Sequence, residues 1–108
     1  MLYSVGKKKI TAAGGAQSVT ISNTLCRRYY VSFKSVGATP LAGTTAVSAT
    51  QTGGTEEALK DSTGADVNLD PTTCKSFSIG SPIESIKFTP SSWTAGAEIF
   101  CEILGEAD

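Results

Sequence analysis

The 108-residue chain contains no histidine. That absence removes the usual general base at neutral pH, the commonest nitrogen ligand for metals and every Ser-His or Cys-His nucleophile pair. Cysteine is sparse. Cys26, Cys74 and Cys101 are odd in number and widely spaced, which gives neither a disulfide framework nor a CxxC zinc pair, so free thiols made in a reducing cytosol are expected. No Asn-x-Ser/Thr acceptor is present, and nothing points to a glycosylated extracellular domain. Long apolar runs are missing as well. The opening "MLYSVGKKKI" places its lysines after a short apolar segment, the reverse of a secretory signal, so neither a signal peptide nor a membrane span is expected. An excess of one charge is also lacking: nine basic and ten acidic residues give a net charge of -1, which argues against a charge-driven disordered chain and against a nucleic-acid partner.

What is present is an alternation of period two. With 40% hydrophobic residues over this length the chain suits a single domain, residues 1–108, with a modest core. In "RRYYVSFKSV", Tyr29, Val31 and Phe33 alternate with Tyr30, Ser32 and Lys34, the signature of a strand with one face buried. "TTAVSATQT" sets Val47 and Ala49 against Thr44, Ser48 and Thr50. "CKSFSIG" aligns Phe77 with Ile79, "IESIKFT" aligns Ile86 with Phe88, and "AEIFCEIL" aligns Ala97, Ile99, Cys101 and Ile103. Near the start "KKKITAA" and "QSVTISN" read as two more strands, the second with Val19 and Ile21 inward; residues 1–12 form an N-terminal arm or an edge strand.

Gly, Pro and small polar residues separate these runs, in "AAGGA", "GATPLAG", "QTGGTEE", "NLDPTT", "IGSPIE" and "TPSSWTAGA". The single helix-like stretch, "TEEALKDS", is short enough to be a turn or an edge strand. Seven to eight short strands divided by turn signals predict an all-β antiparallel sandwich or small barrel.

The candidate sites are few. Asp61, Asp66 and Asp70 lie close together in "DSTGADVNLD", and hard cations take such oxygens, but the spacing matches no EF-hand and a solvated acidic loop is the commoner outcome. Glu56 and Glu57 with these aspartates are too weak a signature for a glycosidase pair in so small a domain. Lys7, Lys8 and Lys9, and Arg27 and Arg28 beside Tyr29 and Tyr30, invite a single-strand-binding reading that the near-neutral charge opposes. Lys7, Lys8 and Lys9 are expected to protect an edge strand or to pair with acidic groups of a neighbouring subunit. Cys101, on the apolar face of its strand, is expected to be a small buried hydrophobe. Trp93, the sole tryptophan, sits in a polar turn. Its readings are a cap on the core, an anchor at a subunit interface, or a ligand platform, in that order.

The stretch "SFSIGSPIESIKFTPSSWTAGAEIFCEILG", residues 76–105, resembles the closing strands of small β-sandwich proteins from the structural modules of tailed bacteriophages. The resemblance implies a non-enzymatic virion protein, foremost a head decoration or cement protein, made in the bacterial cytoplasm and carried in the virion. It implies contact with the major capsid protein or other virion proteins, and a homo-oligomer, with a trimer among the options. Tail, neck or fibre-base placement and a carbohydrate- or receptor-binding module are the alternatives. No cofactor or metal is expected, and the residues expected at an interface are Trp93, Lys7, Lys8, Lys9, Arg27 and Arg28.

Overall fold

Nine strands carry the alternation in the computed structural model, which describes residues 1–13, 15–22, 24–36, 43–69 and 76–107. They are β1 (Leu2–Thr11), β2 (Gln17–Thr20), β3 (Arg28–Ser35), β4 (Thr44–Gln51), β5 (Glu56–Ala58), β6 (Asn68–Leu69), β7 (Phe77–Ile79), β8 (Ile83–Ser91) and β9 (Glu98–Glu106). All pairings are antiparallel. One sheet has the order β1-β9-β3-β7 and the other β2-β8-β4-β5, with β6 also paired to β4. The count exceeds the expected seven to eight because "TEEALKDS" contributes β5, an edge strand, and its hairpin returns as the two-residue β6.

With β5 and β6 taken as one interrupted strand, each sheet interleaves strands from both halves of the chain, and first and last lie side by side. That strand order is a jelly roll, a double-sheet sandwich built from two Greek keys. Chain neighbours therefore seldom pair. β8 and β9 are separated only by a short turn, yet they belong to opposite sheets, and the Trp93 turn crosses the top of the sandwich.

The inward faces meet in one apolar core. Tyr29, Val31, Cys101 and Ile103 of the first sheet and Ile86 and Phe88 of the second are each 0% exposed. Phe33 packs edge-on to Phe88 across the sheets, with ring centroids 5.3 Å apart at 82°, the geometry that the aromatic quadrupole favours. The inward sets read from alternation hold in every described strand, including Val19 and Ile21, Val47 and Ala49, and Ala97 and Ile99.

β1 is the edge of its sheet, paired along its length with β9. Val5 and Ile10 are both buried, although five residues apart they would face opposite sides of a regular strand. A bulge between Ser4 and Gly6 resolves the conflict by inserting one residue into the ladder.

Candidate interaction surfaces

The three lysines of β1 do not form one patch. Lys7 and Lys9 stand opposite Glu102 and Phe100 on the outer face of the sheet, and Lys9 pairs with Glu98 at 3.4 Å. Lys8 falls on the other side, across the open flank of the sandwich, where its Nζ donates to Ser18 O of β2 at 3.3 Å. An inward-turned lysine and a bulge on one long edge strand are two of the devices by which sheets avoid edge pairing, which fits the protective role expected of these residues.

Arg27 and Arg28 enter β3 beside the end of β9. Arg27 Nη2 lies 3.1 Å from Glu106 Oε2, and Tyr30 donates its hydroxyl to Glu106 Oε1 at 3.0 Å. The bond from Tyr30, reinforced by Arg27 and the terminal ammonium, holds the Glu106 carboxyl below its ordinary range, while the same bond raises the Tyr30 phenol. Arg28 turns the other way along the sheet and donates from Nη1 to Ser78 Oγ of β7 at 3.3 Å.

Trp93 is half-buried against the core, and its indole N–H points back into its own chain. Nε1 donates to Thr44 O at 3.1 Å and to Thr45 Oγ1 at 3.2 Å, tying the β8–β9 turn to the start of β4. The turn is tight: Ser92 has φ of 62°, and Gly43, at φ 117°, leaves room for the backbone of Ser91 and Ser92, which a Cβ there would meet at 2.7 and 2.8 Å. Of the readings open to Trp93, this geometry gives it the work of a cap, and it leaves the ring little freedom to act as a platform for a ligand.

Several acidic groups are engaged within the chain. Asp61 Oδ1 accepts from Thr63 N at 2.8 Å, Thr63 Oγ1 at 2.6 Å and Ala65 N at 3.1 Å, bonds that lower its pKa and close the hairpin between β5 and β6. Asp66 pairs with Lys60, and Glu56 pairs with Lys87 at 2.6 Å. Asp70 and Cys74 lie outside the described residues. Among the described residues no three His, Cys, Asp or Glu side chains come together in a way that would hold a metal ion. Cys101 is fully buried and burial pushes its thiol up to about 12, so at neutral pH it is a protonated hydrophobe rather than a nucleophile. No helix among the described residues is long and apolar enough to cross a membrane.

One surface went unread in the sequence. On the outer face of the β1-β9-β3-β7 sheet, Phe100 and Leu104 of β9 and Tyr30 of β3 are part-exposed among Lys7, Lys9, Arg28, Lys34, Glu98, Glu102 and Glu106. Two shallow hollows open there, one against Tyr30, Ser32, Ser78 and Leu104, the other against Lys34, Val36, Phe100 and Glu102. The signal was available: "EIFCEILGE" is apolar on both of its faces, at Ile99, Cys101 and Ile103 inward and at Phe100 and Leu104 outward. The opposite sheet differs. Its outer positions include Ser18, Thr20, Thr44, Ser48, Thr50, Ser85 and Thr89 with the small Ala46 and Ala58, the Lys87–Glu56 pair and, among the described residues, no large apolar group.

No family model and no curated protein matches the chain. Solved structures do share its fold. The SPBc2 prophage-derived protein YomS superposes with a TM-score of 0.56 at 12% identity, over 97% of this chain and 96% of that one. The Bacillus endospore appendages, a family of disulfide-linked pili, match with a TM-score of 0.50 at 17% identity, over 100% of this chain and 88% of that one. At such identities the likeness is one of architecture, and function has to be argued from surfaces.

Proposed function

We propose that the chain is a non-enzymatic structural protein of a bacteriophage virion, and within that class a head decoration or cement protein that binds between subunits of the shell. The observation that carries this reading is the jelly roll shared with a prophage-derived protein along nearly the whole of both chains, in an architecture that capsid proteins use widely. The chemistry supports binding over catalysis. The sequence has no histidine, Asp61, Asp66, Glu56, Glu98 and Glu106 each bond to another group of the chain, and Cys101 is buried and protonated.

The mechanism is mechanical. A copy seated across a seam removes apolar surface from water on both sides of it, at about 25 cal/mol per Å², less the ordering cost of association. Repetition over a symmetric shell turns a weak contact into a durable coat. Placement in the tail, neck or fibre base would use the same partner chemistry with a different neighbour.

Co-sedimentation of the purified chain with particles of the phage that encodes it tests the proposal. Saturable binding in fixed ratio to the major capsid protein, with particles more resistant to heat when coated, is expected. Absence of the chain from purified virions, with no binding to shells, would refute it.

A further inference from the structure

The two outer faces are chemically unequal, and the unequal one matches itself. On the β1-β9-β3-β7 sheet the charges are sorted by strand: cations on β1 (Lys7, Lys9) and β3 (Arg28, Lys34), acids on β9 (Glu98, Glu102, Glu106). The register sets these residues at common levels. Glu106 lies beside Arg28, Leu104 beside Tyr30, Glu102 beside Ser32, and Phe100 beside Lys34.

We propose that this face binds a second copy of the chain, related by a two-fold axis that runs along the strands midway between β9 and β3. β9 and β3 are the two central strands of the four, so that axis passes through the middle of the sheet and all four strands of each copy overlap the partner. Rotation about it lays β9 over the partner's β3 without changing level. Glu106 then faces the partner's Arg28, Leu104 faces the partner's Tyr30, and Phe100 faces the partner's Lys34, a cation over an aromatic ring. Each contact occurs twice, as an isologous interface requires. The other in-plane axis, across the strands at the level of Glu102, would set Glu102 against the partner's Glu102 and Glu98 against the partner's Glu106, so the charge pattern selects one arrangement.

Charge also selects the occupant. This face carries both signs in separate columns, and the rotation lays the acidic column of β9 over the partner's β3, where Glu106 and Arg28 meet at one level, twice per dimer. Lys34 has no ion pair within the chain among the described residues, so its ammonium is available to the partner's Phe100 ring. About nine residues on each of β1, β9 and β3 with the three of β7, at about 3.4 Å per residue and about 4.8 Å between strands, give roughly 500 Å² of face per copy. Standard interfaces bury about 800 Å² per partner, so a dimer of micromolar rather than nanomolar strength is expected.

Sedimentation equilibrium of the full chain tests the proposal independently of any virion, so failure to bind shells and failure to dimerise are separate results. The wild-type chain is expected to dimerise at micromolar concentration. Arg28→Glu and Glu106→Arg, each alone, are expected to weaken the dimer at least about tenfold. An equimolar mixture of the two variants restores it, because every facing pair is then again of opposite sign. Glu106 also bonds within its own chain, so Leu104→Ser, with its part-exposed side chain on the outer face, is the second probe and is expected to disrupt the dimer without lowering the melting temperature appreciably. A chain that stays monomeric to millimolar concentration, a dimer indifferent to Leu104→Ser, or folded charge variants whose mixture stays monomeric would each overturn the proposal.

Discussion

Gly105 occupies the one position in β9 where the interior has no room for a methyl group. A Cβ there would stand 2.5 Å from Cys26 Sγ and 3.1 Å from Val5 Cγ1. Gly105→Ala is therefore expected to destabilise the fold by about 1–3 kcal/mol, the usual cost of overpacking a core. Combining it with Cys26→Ala should recover part of that loss; urea denaturation of the single and double variants checks both, and an unchanged midpoint in the single variant would contradict the packing. At this scale the sequence was most legible. Tyr29, Val31, Ile86, Phe88, Ile99 and Ile103 declare their burial through period-two alternation, because a pleated strand must send successive side chains to opposite faces. Gly105 was not legible, since its constraint comes from Cys26, which is remote in sequence.

Among elements, the end of β9 is tied to the start of β3 by one carboxylate, Glu106, which accepts from Tyr30 and Arg27 while Met1 N and Ala107 N exchange bonds with the facing carbonyls. Glu106 has a folded-state pKa below its ordinary 4.5. The stabilisation it gives is complete above that value and is lost as pH falls from there through the depressed folded value. Tyr30→Phe removes the largest cause of the depression. Its melting temperature is expected to fall less steeply below pH 4.5 than that of the wild type, and equal slopes would show that Tyr30 contributes nothing to the linkage. The arginine pair was visible in the sequence as an interaction site, but its internal partner was not, because the Arg27–Glu106 contact spans 79 residues. The lysine run shows the same limit: alternation shows that Lys8 faces away from Lys7 and Lys9, while only the pairing of β1 with β9 and the proximity of β2 show where each one points.

For the whole molecule, composition and turn signals were enough for an all-β sandwich, and they were silent on its topology. Strands adjacent in the chain lie mostly in different sheets, so strand order depends on contacts between distant segments that no local pattern encodes. The same separation left the outer face of the β1-β9-β3-β7 sheet unread, because Tyr30, Phe100 and Leu104 come together only once β3 and β9 are paired. The proposed virion role rests on surfaces such as that face, since the Trp93 indole and the Asp61 carboxylate are engaged within the chain.

The most direct test of the proposed virion role is cryo-electron microscopy of purified particles from a phage whose genome is found to carry this chain. Ordered density for the two-sheet sandwich at repeating positions over seams of the shell is expected. Shells with bare seams, and no density for the sandwich elsewhere on the particle, would contradict it.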